Sequence, residues 1–140
     1  MTNINYYNDN DQEYINRTFD LDMSPLADEF LDLVGDHGTL LDLGCGSGRD
    51  AVYFKSRGYD VYAMDGSEAM VKHAKEKLGD RVNWSTFEDY KTNVLFDGIW
   101  ACASLLHVPR QEMNKILVKY RDLLKPDGVY QLELKLILNI

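Results

Sequence analysis

The segment LLDLGCGSGRD (residues 40–50) places three closely spaced glycines directly after a short apolar run. Gly44, Gly46 and Gly48 also precede a helical pattern, so they form a loop between a strand and a helix. Glycine at this density weakens a fold unless the backbone must turn sharply or approach a ligand closely. About twenty residues later a second strand ends near Asp65, where a carboxylate can accept hydrogen bonds from both hydroxyls of a ribose. The loop and the acid together predict a site for a nucleoside-containing ligand.

The spacing of the glycines argues against a dinucleotide. A nicotinamide-binding loop has the pattern Gly-x-Gly-x-x-Gly or ends in alanine. Counted from Gly44 the last position is Arg49, and counted from Gly46 it is Ala51, which fits only if the pattern starts late. Asp42 lies just inside the end of the first strand, where its charge would repel a pyrophosphate and favour an ammonium group. An NAD-dependent oxidoreductase is therefore a distant alternative.

Strand and helix patterns alternate along the chain, which is typical of a parallel sheet built from right-handed βαβ units. The predicted strands cover residues 39–43, 59–64, 81–85, 96–101 and 129–136, and the predicted helices cover residues 6–17, 24–34, 47–57, 67–78 and 109–124. Ser24 and Ser67 are the predicted caps of two of these helices, and the KPDG segment (residues 125–128) is a predicted turn. Ligands of such sheets bind beyond the carboxyl ends of the strands, which is where the glycine loop lies.

Five segments, in this order, resemble class I S-adenosylmethionine-dependent methyltransferases: LLDLGCGSGRDA, VYAMDGSEAM, FEDY, FDGIWACASLLHVP and LLKPDGVY. Within that superfamily the chain resembles the bacterial small-molecule branch that includes tellurite-resistance-type enzymes. The resemblance implies an α/β fold, a Rossmann-like doubly wound parallel sheet of order 3-2-1-4-5 with helices on both faces. It also implies that S-adenosylmethionine is the cofactor and that its methyl group passes in line to a small molecule, which the sequence does not identify.

The same match carries over a set of cofactor-binding residues. They are Asp42, Gly44, Cys45, Gly46, Asp65, Gly66, Met70, Phe87, Glu88 and Ala101. The resemblance places Asp42 near the ammonium group and Asp65 at the ribose. Phe87 and Glu88 would meet the adenine edge. Met70 would pack on the adenine, unless it is an ordinary core methionine.

Methyl transfer from a sulfonium asks for little side-chain chemistry. The methyl group is already activated, so proximity and orientation would lower the barrier by up to about 7–11 kcal/mol. The segment that begins at Ala101 would line the methyl site. His107 is the candidate general base, needed only if the acceptor must lose a proton, and its alternative role is a structural cap before Pro109. Neither Cys45 nor Cys102 is expected to act as a nucleophile, and no residue cluster indicates a metal.

Composition and charge narrow the range of partners. The net charge of −8, without a basic stripe, argues against nucleic acid. No apolar run approaches the roughly 20 residues of a membrane helix, and the polar N-terminus is unlike a secretory signal. The two cysteines fit no disulfide framework. We therefore predict a cytoplasmic protein with a small-molecule methyl acceptor and with no nucleic-acid or membrane partner.

The 140 residues are predicted to form one domain, with residues 1–36 as a helical lid and residues 37–140 as a Rossmann-like core. Arg17 of the lid is a candidate partner for the cofactor's carboxylate. The resemblance fades at about residues 133–135, and the sequence is interpreted as truncated, without the usual strands six and seven. Two functions stay open: an active methyltransferase, or a non-catalytic relative that binds the cofactor. Strand five would then be an exposed apolar edge, which predicts a homodimer.

Overall fold

The computed structural model describes residues 24–102 and 108–133 of the chain. Its strands are β1 (Thr39–Leu43), β2 (Asp60–Asp65), β3 (Val82–Trp84), β4 (Phe96–Cys102) and β5 (Leu124–Glu133). Its helices are α1 (Ser24–Val34), α2 (Arg49–Ser56), α3 (Glu68–Leu78) and α4 (Met113–Arg121), with short 3₁₀ turns at Gly79–Arg81 and Arg110–Glu112. All five strands pair in parallel in the order β3-β2-β1-β4-β5, which confirms the predicted fold and strand order.

The central strand β1 is mostly apolar because both of its faces are covered. Its residues from Leu40 to Leu43 are all buried, as expected for a parallel strand between two layers of helices. Leu40 packs in an apolar cluster with residues of α1, α2 and α3, whereas Leu41 and Leu43 pack in a second cluster with residues of α4. Helices therefore lie on both faces of the sheet, as predicted.

A serine and a glycine set the starts of the two helices that follow β1 and β2. The Ser67 hydroxyl accepts a hydrogen bond from the Met70 amide at 3.3 Å and caps α3, as the sequence predicts. Gly48 precedes α2 with a φ of 97°, and a Cβ at this position would lie 3.4 Å from the side chains of both Ala74 and Leu78. Gly48 thus allows the start of α2 to approach α3 closely.

The clearest difference from the sequence prediction lies at the start of β5. The sequence predicts a helix through Leu124, whereas the structure ends α4 at Arg121 and begins β5 at Leu124. The KPDG segment, residues 125–128, is an irregular insertion within β5, because the register between β4 and β5 shifts after the pair Phe96–Leu124. Asp127 there has a φ of 67°. The KPDG segment is irregular as predicted, but it lies within β5 and does not precede it.

Several predictions fall on residues outside the described ranges, among them the helix at 6–17 and the end of strand five beyond Glu133. The division into a lid and a core therefore stays a prediction. Within the described strands β5 pairs with β4 alone, and the homodimer also stays a prediction. None of the helices in residues 24–102 and 108–133 is long and apolar enough to cross a membrane.

The packing of α1 on β4 depends on the absence of a side chain at Gly98. A Cβ there would lie 2.7 Å from Cζ of Phe30 and 2.8 Å from Cγ2 of Val34, which is closer than these atoms can come. Because Phe30 is fully buried, its ring has little room to move. We expect Gly98→Ala to lower the free energy of unfolding, measured by urea denaturation, by about 1–3 kcal/mol. Phe30→Leu should recover part of that loss in a double-mutant cycle, and an additive cycle would contradict this packing.

Candidate functional site

Backbone amides of the glycine loop, those of residues 44–46, hold the loop to the end of β2. The amides of Gly44 and Cys45 both donate to the carbonyl oxygen of Met64, at 3.0 and 2.9 Å. The amide of Gly46 donates to Oδ2 of Asp65 at 2.8 Å. Gly44 and Gly46 have φ angles of 78° and 58°, which only glycine adopts without strain. Three successive amide donors of the loop therefore hold its shape.

Asp42 is a buried carboxylate with one oxygen that lacks a partner. The residue is 3% exposed, and the amide of Ala51 in the first turn of α2 donates to its carboxylate. Because Gly48 before this helix has no side chain, Asp42 caps α2 from the neighbouring strand. Its Oδ2 is buried and has no hydrogen-bond partner among the described residues. Burial, and then the carboxylates of Asp50 and Asp65, raise the pKa of Asp42 well above its ordinary value.

The carboxylate of Asp65 joins the glycine loop to the start of α3. Oδ2 accepts from the Gly46 amide, and Oδ1 accepts from the Ser67 amide at 2.9 Å. Burial raises the pKa of Asp65, while these hydrogen bonds act in the opposite direction. The Gly66 amide also donates to this carboxylate, and since a carboxylate has about four acceptor positions, capacity remains for a ligand hydroxyl. Asp65 thus orders the loop as well, a role that the sequence did not predict.

A third carboxylate, that of Asp50, is held beside the loop. It accepts a hydrogen bond from Nε1 of Trp100 at 2.9 Å and forms an ion pair with Arg49 at 2.9 Å. Three carboxylates and one guanidinium thus lie around the start of α2, which makes this part of the protein electronegative. The sequence analysis missed Asp50, although its position directly after the glycine loop was an available signal.

Cys45 holds its proton in this electronegative environment. Its Sγ donates to the carbonyl oxygen of Gly46 at 3.3 Å. Burial, followed by the charges of Asp42 and Asp65, raises the pKa of the thiol well above its ordinary value. A protonated thiol is a weak nucleophile. Among the residues that the structure describes, no group of three His, Cys, Asp or Glu side chains could hold a metal ion.

Two predicted cofactor contacts are core residues in the structure. Met70 and Ala101 are both fully buried, so neither side chain presents surface to a ligand. Core packing covers the side chain of Met70, and its contact with adenine stays a prediction.

The predicted adenine-edge residues lie in a turn after β3. Phe87 is half-buried, and its ring packs edge-on against that of Tyr120 at a centroid distance of 6.5 Å. Glu88 is exposed. The hydroxyl of Thr86 accepts from the Asp89 amide at 3.1 Å and closes the turn. The turn thus stands at the carboxyl end of β3, on the same edge of the sheet as the glycine loop.

Trp84 is an aromatic residue at this edge that the sequence analysis missed. It is the last residue of β3, its side chain is 59% exposed, and it pairs with Asp65 in the register of β2 and β3. Its Nε1 donates to the carbonyl oxygen of Gly66 at 3.1 Å. Its position near the end of a predicted strand, beside the strand that ends at Asp65, could have indicated Trp84 as a site residue.

Other predicted site residues lie outside the described ranges. They include His107, the candidate base, and Arg17, the candidate partner of the cofactor's carboxylate. Residues 103 and 104 of the predicted methyl site also lie outside, and Cys102 is described only as the end of β4. Their roles stay predictions.

The described edge suits a ligand with positive charge and hydroxyl donors. Oδ2 of Asp42 is an orphaned buried acceptor, which an ammonium group would satisfy, and Asp65 has acceptor capacity for hydroxyls. A pyrophosphate needs backbone amide donors, but those of residues 44–46 are engaged within the fold. The residues present therefore fit S-adenosylmethionine better than a dinucleotide.

A parallel sheet of this order, with a glycine loop after β1 and an acid at the end of β2, defines a Rossmann-like class I methyltransferase fold. The family described as "Methyltransferase domain" matches residues 40–128, which is more than half of the sequence, and the chain belongs to this family. The resemblance to class I S-adenosylmethionine-dependent methyltransferases is confirmed. S-adenosylmethionine, the predicted cofactor, is confirmed at the level of the family.

Curated relatives share part of their length with this chain. The ubiquinone biosynthesis O-methyltransferase of Rickettsia canadensis is 29% identical over 96 residues, which cover 64% of this chain and 39% of that protein. The probable S-adenosyl-L-methionine-dependent methyltransferase TehB of Haemophilus influenzae is 27% identical over 88 residues, which cover 59% of this chain and 31% of that protein. The chain thus spans less than half the length of the curated relatives that it matches.

A solved structure extends the likeness over more of the chain. The 1,6-didemethyltoxoflavin-N1-methyltransferase of Burkholderia thailandensis is 25% identical, with a TM-score of 0.75 over 92% of this chain and 57% of that chain. That enzyme was crystallised with 1,6-didemethyltoxoflavin and S-adenosylhomocysteine.

The two tryptophans of the chain allow ligand binding at this edge to be followed. Trp100 is fully buried, whereas Trp84 is exposed and held beside Gly66, one residue from Asp65. We expect S-adenosylhomocysteine to change the fluorescence of Trp84, because a ligand on Asp65 changes the solvent around the indole. In Trp84→Phe the change should disappear while calorimetry still detects binding. A signal of equal size in that variant would contradict the placement of Trp84 at the ligand.

Proposed function

We propose that this chain binds S-adenosylmethionine at the carboxyl ends of β1, β2 and β3 and transfers its methyl group to a small molecule. Oδ2 of Asp42, which has no partner in the described part of the chain, carries this proposal, since a buried carboxylate oxygen without a partner is costly unless a ligand donor occupies it. Membership of the methyltransferase domain family supports it. The similarity to enzymes named for S-adenosylmethionine-dependent methyl transfer supports it further.

In this proposal each acid of the site has a distinct role. Asp42 accepts from the ammonium group of the cofactor, and Asp65 accepts from the ribose hydroxyls while it keeps the glycine loop in place. The resemblance implies that Phe87 and Glu88 meet the edge of the adenine through a backbone amide and a carboxylate, and we assign the amide to Glu88. When bound, the cofactor supplies a methyl group that is already activated by the sulfonium. The chain then has to orient the acceptor and exclude water, which places the main rate effect in proximity and orientation.

The acceptor is proposed to be a small molecule. Support comes from the Burkholderia enzyme, whose name and bound ligand concern 1,6-didemethyltoxoflavin, and from the Rickettsia relative, named for ubiquinone biosynthesis. His107 is proposed as a base for an acceptor that must lose a proton. A non-catalytic protein that binds the cofactor is the alternative, and an NAD-dependent enzyme is disfavoured by the engaged amides of the glycine loop.

We also propose where the protein acts and what it contacts. We place it in the cytoplasm, with the small-molecule acceptor as its partner and without a nucleic-acid or membrane partner. The net charge of −8 supports this choice. The part of residues 1–36 that precedes α1 is proposed as a lid over the cofactor, and the outer edge of β5 is proposed as the surface of a homodimer.

Calorimetric titration with S-adenosylmethionine, S-adenosylhomocysteine and NAD tests the cofactor. We expect the first two to bind and NAD not to bind. Asp65→Asn should weaken S-adenosylhomocysteine by about 1.5–3 kcal/mol, since it removes a charged acceptor from the ribose and from Gly46. Asp60→Asn is the matched control, because Asp60 lies at the opposite end of β2 in a surface ion pair with Arg81.

If NAD binds and S-adenosylhomocysteine does not, the cofactor assignment is refuted. Equal loss of affinity in Asp60→Asn and Asp65→Asn would refute the placement at the carboxyl ends. Formation of S-adenosylhomocysteine from S-adenosylmethionine, measured over a panel of acceptors, then separates an enzyme from a binding protein.

The raised pKa of Asp42 makes binding depend on pH. The free protein holds a proton on Asp42 at pH values where an ordinary aspartate is ionised, and an ammonium ligand favours the ionised form. Below the raised pKa, binding should therefore release a proton. The affinity should rise with pH and level off once Asp42 is ionised in the free protein. Calorimetry in buffers of different ionisation enthalpy measures the released proton.

The Asp42→Asn variant separates binding from stability. It should bind more weakly, release no proton, and melt at a higher temperature than the wild type at neutral pH in the absence of ligand. The sign follows from the raised pKa: the wild type keeps its full stability below the unfolded pKa of Asp42 and loses it as pH rises through the folded pKa. A lower melting temperature for the variant would contradict this account.

A further inference from the structure

The turn at residues 86–90 has little regular structure of its own, yet it is tightly held. Two hydrogen bonds close it: the Tyr90 amide donates to the carbonyl oxygen of Thr86, and the Asp89 amide donates to the Thr86 hydroxyl, both at 3.1 Å. These bonds fix the two ends of the turn. The carbonyl groups of Phe87 and Glu88, which lie between those ends, are held by other contacts.

The anchor comes from the last turn of α4. Nζ of Lys119 donates to the carbonyl oxygens of Phe87 at 2.8 Å and Glu88 at 2.6 Å. The hydroxyl of Tyr120 donates to the same Phe87 oxygen at 2.6 Å. Two adjacent residues of one helix thus make three hydrogen bonds to two consecutive carbonyl groups of the turn.

Aromatic packing reinforces these hydrogen bonds. Tyr120 is fully buried, with the ring of Phe87 packed edge-on against it at 6.5 Å and the ring of Tyr90 stacked at 6.3 Å. The rings hold the turn at a fixed distance from α4, and the hydrogen bonds then select the direction of each carbonyl group.

The direction of a carbonyl group also sets the direction of an amide. A trans peptide group is planar, so the carbonyl of Phe87 and the amide of Glu88 point in opposite directions. With the Phe87 oxygen drawn toward Lys119 and Tyr120, the Glu88 amide points away from α4. This is the amide that the proposed function assigns to the adenine edge.

We propose that Lys119 and Tyr120 are positioning residues that aim the Glu88 amide at N1 of the adenine and so determine which purine the site accepts. The inference rests on the proposed function, because it presupposes that the cofactor's base lies against this turn. Adenine N1 accepts a hydrogen bond from that amide. In hypoxanthine N1 carries a hydrogen, so the amide would face another donor.

The experiment compares two ligands, S-adenosylhomocysteine and its hypoxanthine analogue S-inosylhomocysteine. We expect the wild type to prefer the adenine ligand by at least about tenfold in calorimetric titrations. Lys119→Met with Tyr120→Phe should reduce this preference by about tenfold, because the turn keeps its rings but loses the bonds that orient it. Tyr120→Phe alone, which keeps the buried ring, should reduce it partly, and it serves if the double variant does not fold.

Two control variants are available on neighbouring residues. Lys115→Met removes an exposed lysine one turn earlier on α4. Tyr130→Phe removes a buried hydroxyl that has no hydrogen-bond partner in the described part of the chain. Both should keep the wild-type preference between the two ligands.

The outcomes separate this inference from the proposed function. If the wild type binds neither ligand, the proposed function fails, and the inference fails with it. If the wild type discriminates and the double variant weakens both ligands equally, the two residues only stabilise the fold and the inference is overturned. An unchanged preference in the double variant, or none in the wild type, overturns it as well.

Discussion

The hydrogen bonds between the glycine loop and the end of β2 are the constraint on which the site depends. β1 and β2 pair in register along their whole shared length, from Thr39 with Asp60 to Leu43 with Met64. This register brings the Met64 carbonyl under the loop, where it accepts from two successive amides, and the next amide reaches Asp65. Because the amides of residues 44–46 are engaged within the fold, the groups that remain for a ligand include the acceptors of Asp42 and Asp65. The chemistry of the site is thus a consequence of strand pairing.

The glycine loop also explains why Asp42 is buried with an incomplete set of partners, because Gly48 at its end cannot cap α2. Gly48 lets the start of α2 approach α3, but it has no side chain to cap the helix. One oxygen of Asp42 supplies that cap through the Ala51 amide, and Oδ2 has no partner among residues 24–102 and 108–133. A carboxylate in this state lowers the stability of the free protein, since burial disfavours its charge. A fold selected for stability alone would have an apolar or amide side chain here, so this cost points to a ligand.

The sequence predicts elements best where the local signals are strong. β1 has the predicted bounds and α3 has the predicted cap, because a continuous apolar run and a serine cap act within a few residues. At Leu124 the helical pattern continues past the true end of α4, and pairing with β4 overrides it. The core position of Met70 could not be predicted, since methionine is used both in cores and at adaptable binding surfaces.

Contacts between distant residues were the least predictable part of the site. Lys119 lies about thirty residues from Phe87 along the chain, and no local pattern links a helix lysine to a carbonyl oxygen in a turn. Trp84 and Gly66 are likewise brought together only by the pairing of β2 with β3. The acids and glycines were predicted because they lie at strand ends, whose positions follow from the alternation of strands and helices.

The site is held from both faces of the sheet. The acids Asp42 and Asp65 are fixed by α2 and α3, which pack in one apolar cluster, and the turn after β3 is fixed by α4, which packs in the other. The five strands between these clusters set the distance from the acids to the turn. A ligand that contacts both must match a spacing defined by the whole sheet, whereas a ligand that contacts only the acids need not. Under the proposed function, the ribose would contact the acids and the base would contact the turn, so binding of a complete nucleoside would depend on both faces and binding of its ribose alone on one.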